Sequence, residues 1–299
     1  MKKWMILVFV AILLVACNLP FSITFNANPT ATPVEATAQV IVVTATPEAT
    51  VAPQPLPTLT PEGNARNLGG VYMVIPPCLA ADANGVIIPE SNAGDDGPVF
   101  MANPEYRKIT LTGYPLAGTF WEPLVQVYPV QRFVELVPNL SNTVAEMQSI
   151  LANQPASFEN SIPLLPIANA AQVFRAQISY INFQNGKGIG FLTEYAQYYA
   201  PVNNHDLFYT FQGLTSDSKY WVSVILPVNA AYLQPTYNDF TVPADGIPVP
   251  QDINSPSFST DMEAYYVAML QKLNSTSPDA FLPTLNCMAS FIQTLNVGD

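Results

Sequence analysis

The chain has 299 residues, 49% of them hydrophobic and only 11% charged, with 29 prolines, 3 cysteines and 1 histidine. Its 10 Lys+Arg against 22 Asp+Glu give a net charge of −12, which excludes the electrostatic footprint of a nucleic-acid binder or of a protein held to a polyanionic surface. A single histidine excludes any site built on two imidazoles.

Lys2 and Lys3 precede an apolar run from Trp4 to Ala16, too short to span a bilayer comfortably but suited to the core of a signal peptide. The run ends in Leu14-Val15-Ala16-Cys17, which resembles the lipobox of bacterial lipoproteins. That resemblance implies cleavage after residue 16 and a lipidated Cys17 at the new N-terminus. The mature chain would then have 283 residues and, with 8 bases and 22 acids, a side-chain charge of −14. Two or three acyl chains on Cys17 would anchor it stably, where one would not. Asn18 does not resemble the acidic signal that retains lipoproteins at an inner membrane, so an outer-membrane address is expected in a host that has one.

Residues 18–62 hold eight prolines and nine threonines in 45 positions, with Glu35, Glu48 and Glu62 the only charges. Proline removes backbone donors and the small polar residues have no core to build, so residues 17–63 read as a tether. A polyproline-like spacer reaches about 3.1 Å per residue when extended. Val40 to Val43 is a short β-like island within it, and the Thr/Pro composition allows O-glycosylation.

Residues 64–299 read as one globular domain with 19 acids and 8 bases. Strands are expected at Gly70 to Ile75, Arg107 to Thr112 and Leu124 to Tyr128. Between the first two, Leu79 to Asn103 is rich in turn formers and reads as a long loop around a short strand near Val86 to Ile88. Gln131 to Leu136 is a short helical stretch. A second helix opens at Thr143 with Glu146 in capping-box spacing, and Val144, Met147, Ile150 and Leu151 form its apolar stripe.

An antiparallel meander follows. Gln172 to Phe183 and Lys187 to Tyr195 flank Asn185-Gly186, the pair favoured in a type I′ turn, which would set Tyr180 opposite Phe191 and Ile178 opposite Thr193. Gly188 and Gly190 leave room for bulky neighbours across the strand. A second hairpin joins Leu207 to Leu214 with Lys219 to Leu226 through Thr215 to Ser218. Its Tyr209 and Phe211 share one side, as do Tyr220, Val222 and Val224.

Thr260 and Glu263 form another capping-box pair ahead of a face made by Phe258, Met262, Tyr265, Met269 and Leu273. Pro278 restarts a helix with Phe281, Leu285, Met288, Ile292 and Leu295 at 4-3-4-3 spacing, and Pro283 either kinks it or marks its true start. The expected fold is α+β, a mostly antiparallel sheet of about six or seven strands packed by C-terminal helices. With Cys17 lipidated, Cys78 and Cys287 are an even pair in a compartment that permits disulfides, and they are expected to bond.

Catalytic templates find little support. Ser216-x-x-Lys219 has the spacing of a serine β-lactamase motif but lies in a hairpin turn rather than on a helix. Gly186-Lys187-Gly188-Ile189-Gly190 lies in a strand, with no helix N-terminus to hold phosphate, and no cofactor is expected. His205 precedes Asp206, yet neighbours on an extended chain point apart, so His205 reads as turn filler rather than an oriented base. Asp82, Asn84, Glu90, Asp95 and Asp96 crowd hard oxygen ligands into one loop, a calcium candidate without EF-hand spacing. Tyr198, Tyr199, Trp221, Tyr232 and Tyr237 are candidates for an aromatic binding face on a sugar or a peptide, although most tyrosines in such a domain are core.

The segment Phe208 to Leu214, the answering strand Tyr220 to Val228 and a terminal helix ending Ser290-Phe291-Ile292 resemble uncharacterised domains on predicted bacterial lipoproteins. An aromatic hairpin followed by a closing helix also resembles PsbP-like α/β/α sandwiches over about a third of the domain. That resemblance implies a non-catalytic accessory role and carries over no functional residue. The expected protein is therefore a lipid-anchored extracytoplasmic binding or accessory module for an envelope protein, peptide or glycan. A cell-envelope hydrolase using acidic residues or His205 is the alternative.

Overall fold

The computed structural model describes residues 62–92, 94 and 97–298; the signal segment, Cys17, the tether up to residue 61, Asp95 and Asp96 lie outside them. Strands β1 (Asn64–Leu68) and β2 (Val71–Ile75) form a hairpin. β3 (Asp82–Ile88), β4 (Tyr106–Thr112) and β5 (Leu124–Pro129) follow as an antiparallel meander. Helices α1 (Val130–Leu136) and α2 (Leu140–Asn153) come next, then β6 (Ala171–Gln172), β7 (Ala176–Phe183), β8 (Gly186–Thr193) and β9 (Tyr195–Ala196). The chain continues through β10 (Phe208–Thr215), β11 (Tyr220–Pro227), β12 (Asn229–Ala230), α3 (Phe258–Ser275), β13 (Phe281–Leu282), α4 (Leu285–Gln293) and β14 (Asn296–Val297).

Seven strands make the main sheet in the order β3-β4-β5-β11-β10-β8-β7, every pair antiparallel. The expected α+β class is therefore observed. Alternation along the central strands creates two cores. Ile189, Phe191, Leu214 and Trp221 face α1 and α2, meeting Phe133, Val144, Met147, Ile150 and Leu151. Leu192, Tyr209, Phe211, Val222 and Val224 face the other way, onto Met262, Tyr265 and Met269 of α3 and Met288, Phe291 and Ile292 of α4. Helices thus cover both faces, where the sequence reading placed only the C-terminal pair.

Several local expectations are corrected. Asp82 to Gly85, read as turn formers, begin a seven-residue edge strand because β4 supplies a full ladder from Asp82↔Thr112 to Ile88↔Tyr106. Glycine at position 85 is required by packing, since a Cβ there would lie 2.9 Å from the Leu68 Cβ. The capping boxes do not form: α2 starts three residues before Thr143 and α3 two before Thr260, and neither N-cap residue, Asn139 or Ser257, makes a side-chain cap bond. The last helix starts only at Leu285, with Thr284 accepting from the Cys287 N–H, so Pro283 stands just before its true start and Phe281 belongs to a strand.

The β7–β8 turn is also shifted. Phe183 pairs with Gly186 and Tyr180 with Ile189, two residues from the expected register, and Gln184 and Asn185 turn without a positive φ. Tertiary bonds override the Asn-Gly preference here. The Gln184 N–H donates to Leu295 O, and Asn185 both donates to Val297 O and accepts from the Val297 N–H. A two-residue slip preserves parity, so Ile178, Tyr180, Ile189 and Phe191 still share one face. The space over Gly188 and Gly190 is filled by Phe211 and Tyr209 from β10, on which a Cβ at either position would collide.

The Cys78–Cys287 disulfide is present, joining the turn after β2 to α4 across a separation of 209 residues. Such a bond belongs to an oxidising, extracytoplasmic setting. No helix among the described residues is long and apolar enough to cross a membrane.

Candidate functional site

At one end of the main sheet β8 runs into Glu194, and the chain loops through residues 197–207 before entering β10. Asn203 organises this loop. Its side-chain oxygen accepts from the backbone N–H groups of His205 (3.0 Å) and Asp206 (3.1 Å), its amide donates to Asp206 Oδ2 at 2.8 Å, and its own N–H donates to Glu194 Oε2 at 3.3 Å. These bonds make residues 204–206 a turn rather than extended chain. The expectation that His205 and Asp206 point apart is therefore wrong: His205 Nδ1 lies 2.5 Å from Asp206 Oδ1.

Neighbouring segments hold the loop in place. The Phe120 N–H donates to His205 O, and Asn203 forms a bridge to Gln234, whose carbonyl accepts from the Asn204 N–H. From α3, the Tyr265 hydroxyl accepts from the Val202 N–H and the Tyr266 hydroxyl donates to Ala200 O.

Glu194 is a candidate that sequence reasoning missed, as it missed the organising role of Asn203. Glu194 is 1% exposed. Burial first, and the nearby Asp206 charge second, hold its carboxyl well above the ordinary glutamate range, against the opposing Asn203 N–H bond. A signal for it existed: Gly188, Gly190, Leu192 and Glu194 share strand parity, so a residue continuing the β8 alternation at 194 faces the core.

An acid whose folded pKa lies above its unfolded value contributes stability that is fully present below that unfolded value, near 4.5, and lost as pH rises through the folded one. Glu194→Gln, which cannot ionise, should therefore gain in stability on the wild type between roughly pH 5 and pH 8. Urea denaturation at the two pH values measures this, and a constant difference would contradict it.

The aromatic candidates separate. Trp221 is corrected to a core residue, 1% exposed and donating through Nε1 to Gln212 Oε1 at 2.7 Å. Tyr232 is partly buried, its hydroxyl 2.9 Å from Thr276 Oγ1 and its ring beneath Lys272. Tyr199 stacks on Tyr266 and meets Phe258 edge-on. Tyr198 and Tyr237 remain exposed, at 62% and 46%. They stand five residues before and three after the Asn203–Gln234 bridge, and the Tyr198 hydroxyl is raised by partial burial and then by Asp206, Tyr237 and Glu194. Phe120, 65% exposed, sets its ring against His205.

The described calcium candidates, Asp82, Asn84 and Glu90, are spread along and just past β3. Asp82 binds Arg66 in a two-point contact that lowers its carboxyl to about 2, and Glu90 pairs with Arg132, while Asn84 is exposed between them. Among the described residues no three His, Cys, Asp or Glu side chains are placed to share a metal ion. A cavity of about 340 Å³ does form, lined by Gln148, Leu151, Asn182, Lys187, Leu214 and Ser216. It lies at the other end of β8 from Glu194 and contains neither carboxylate nor imidazole.

Comparison with protein-family models, curated proteins and solved structures gives no match. The site itself must carry the functional argument.

Proposed function

We propose that the protein is a lipid-anchored, extracytoplasmic binding or accessory module that presents the Tyr198–Tyr237–Asp206 surface to an envelope ligand. The observation that carries this reading is the division of the molecule into two ends. One end carries the exposed Tyr198 and Tyr237 with Asp206 and the buried Glu194, and the cavity at the other end is lined by amides, hydroxyls, Lys187 and the apolar Leu151 and Leu214. The lipobox and the Thr/Pro tether supply the anchor and the reach. Cys17→Ala should abolish incorporation of a radiolabelled fatty acid in cells, and retained label would refute the anchor.

One observation favours a second reading, a hydrolase. With Asp206 on His205 Nδ1, the imidazole has the orienting carboxylate that a general base uses. A panel of ester, glycoside and peptide substrates separates the two. The binding reading expects no turnover by the purified full chain; turnover that His205→Ala abolishes would replace that reading with the hydrolase.

A further inference from the structure

We propose that the cavity at the end of β8 remote from Glu194 is a second binding site, one that takes a neutral, hydroxyl-rich ligand of the sugar class. The inference goes beyond the reading above and uses none of its residues. Sheet, helix and turn build the site together. The strand register sets Asn182 of β7, Lys187 of β8 and Leu214 of β10 side by side in one row. Gln148 and Leu151 from the last turns of α2 line the same cavity, as do Thr215, Ser216 and Ser218 at the β10–β11 turn, around a volume of about 340 Å³. Small-ligand sites begin near about 300 Å³.

Internal hydrogen bonds fix these side chains yet leave much of their capacity unused. The Lys187 ammonium donates to Leu151 O at 3.1 Å and has two N–H groups left. Gln148 Nε2 donates to Ser218 Oγ at 3.4 Å, which leaves the Gln148 side-chain oxygen and the Ser218 hydroxyl hydrogen for a ligand. Ser216 Oγ donates to Asn185 O at 3.1 Å and can still accept. The Asn182 amide is committed to no partner among the described residues. Asp217, the acid of the same turn, does not line the cavity and is engaged by the Thr215 hydroxyl and the Lys219 N–H. Donors and acceptors therefore share one small space with the carbons of Leu151 and Leu214.

This mixture selects among ligands. Lys187 opposes a cation. An anion is opposed by the carbonyl end of α2, where Lys187 already donates, and by a domain with 19 acids against 8 bases. Among neutral groups, a hydroxyl donates and accepts from one atom, and a sugar ring carries several on adjacent carbons. A peptide instead spaces its polar groups along an extended chain at about 3.3 Å per residue and docks best on a free sheet edge or in a long groove, whereas this cavity opens on the face of paired strands.

Side-chain amide resonances of the isotope-labelled full chain, in a detergent without a sugar headgroup, report on the site directly. Methyl glucoside, methyl N-acetylglucosaminide, glucuronate and acetyl-trialanine amide are the probes. At least one of the two neutral sugars should shift the Asn182 and Gln148 amide signals, with a dissociation constant at or below about 10 mM. That sugar should bind about threefold or more tightly than glucuronate and than the peptide. Gln148→Trp, which fills the cavity from an exposed position, should weaken its binding about tenfold, and Asn182→Ala about fivefold.

The wild-type shifts need no variant to fold. Silence of both amides toward both sugars would overturn the proposal. Equal or tighter binding of glucuronate would make the site an anion site, and equal or tighter binding of the peptide a peptide site; either result overturns the sugar assignment. Sugar binding untouched by Gln148→Trp would place the ligand elsewhere and overturn it too.

Discussion

Replacing Cys78 and Cys287 together with alanine is expected to cost the domain about 5 kcal/mol and to lower its melting temperature by roughly 10–20 °C. The first figure follows from chain entropy, because the bond closes a separation of 209 residues and restricts the unfolded chain accordingly. Its size matters against a typical total stability of about 5–15 kcal/mol for a domain. The location adds to the effect. Cys287 is buried in α4, beside Met288, Phe291 and Ile292 of the larger core, while Cys78 follows β2, whose neighbour in the small sheet is the terminal strand β14. Losing the bond therefore frees the two ends of the domain where they pack together. Thermal and urea unfolding of the double variant measures the loss, and non-reducing peptide mapping of the wild type tests the pairing. A melting shift under about 3 °C would show that the bond contributes little.

Gln212→Leu is expected to destabilise by about 3–5 kcal/mol, although it exchanges a polar core residue for an apolar one of similar volume. Gln212 is fully buried on the central strand β10. Its Oε1 accepts from Trp221 Nε1 at 2.7 Å and from the Leu165 N–H at 3.1 Å. Its Nε2 donates to Thr210 Oγ1 (2.8 Å), Ser223 Oγ (2.9 Å) and Leu165 O (3.2 Å). Leucine would strand the indole and the Leu165 N–H without acceptors in a fully buried site, and each orphan costs about 1–3 kcal/mol. Leu165 O, Thr210 and Ser223 retain other partners, which is why the expected loss is not larger.

A double-mutant cycle sharpens the test. Trp221→Phe removes one stranded donor, so the loss on going from Gln212 to Leu should be smaller in that background by roughly 1 kcal/mol. Strict additivity of the two substitutions would contradict the network.

The central hairpin was legible in the sequence. Phe208 to Thr215 and Tyr220 to Pro227 appear where the pattern put them, within one residue at each end, because each is an aromatic and aliphatic run bounded by turn residues, and both faces of each strand are buried. The buried stripes of α2 and α3 were legible from their helical period. The first half of the edge strand β3 was not, since only Val86 to Ile88 was read as strand. Asp82 to Ile88 carries turn formers and is mostly exposed, so its strand depends on a ladder with β4 that no local pattern announces. Helix starts failed likewise, because the capping-box spacing sat inside helices already begun upstream.

The candidate site divides along the same line. Tyr198 and Tyr237 could be singled out by residue type, but Trp221 could not be separated from them, since the difference is a buried acceptor on Gln212, the neighbouring strand's residue. Asn203 decided the rest. Its side chain closes the turn that brings His205 onto Asp206 and ties both to Glu194 through its own N–H, contacts made by a side chain whose direction an extended-chain reading gets wrong.

Alternation along the chain by itself determined the class of fold and the central hairpins, because hydrophobic period is a property of the chain, whereas the pairing of Cys78 with Cys287 was expected only once the lipobox resemblance set Cys17 aside from the three cysteines. Only the tertiary structure decided the register of the β7–β8 turn, the second helical layer and the joining of Glu194 to Asp206. Each of these depends on hydrogen bonds or packing between segments far apart in sequence, such as Asn185 with Val297 across 112 residues, and those partners are absent until the chain has folded.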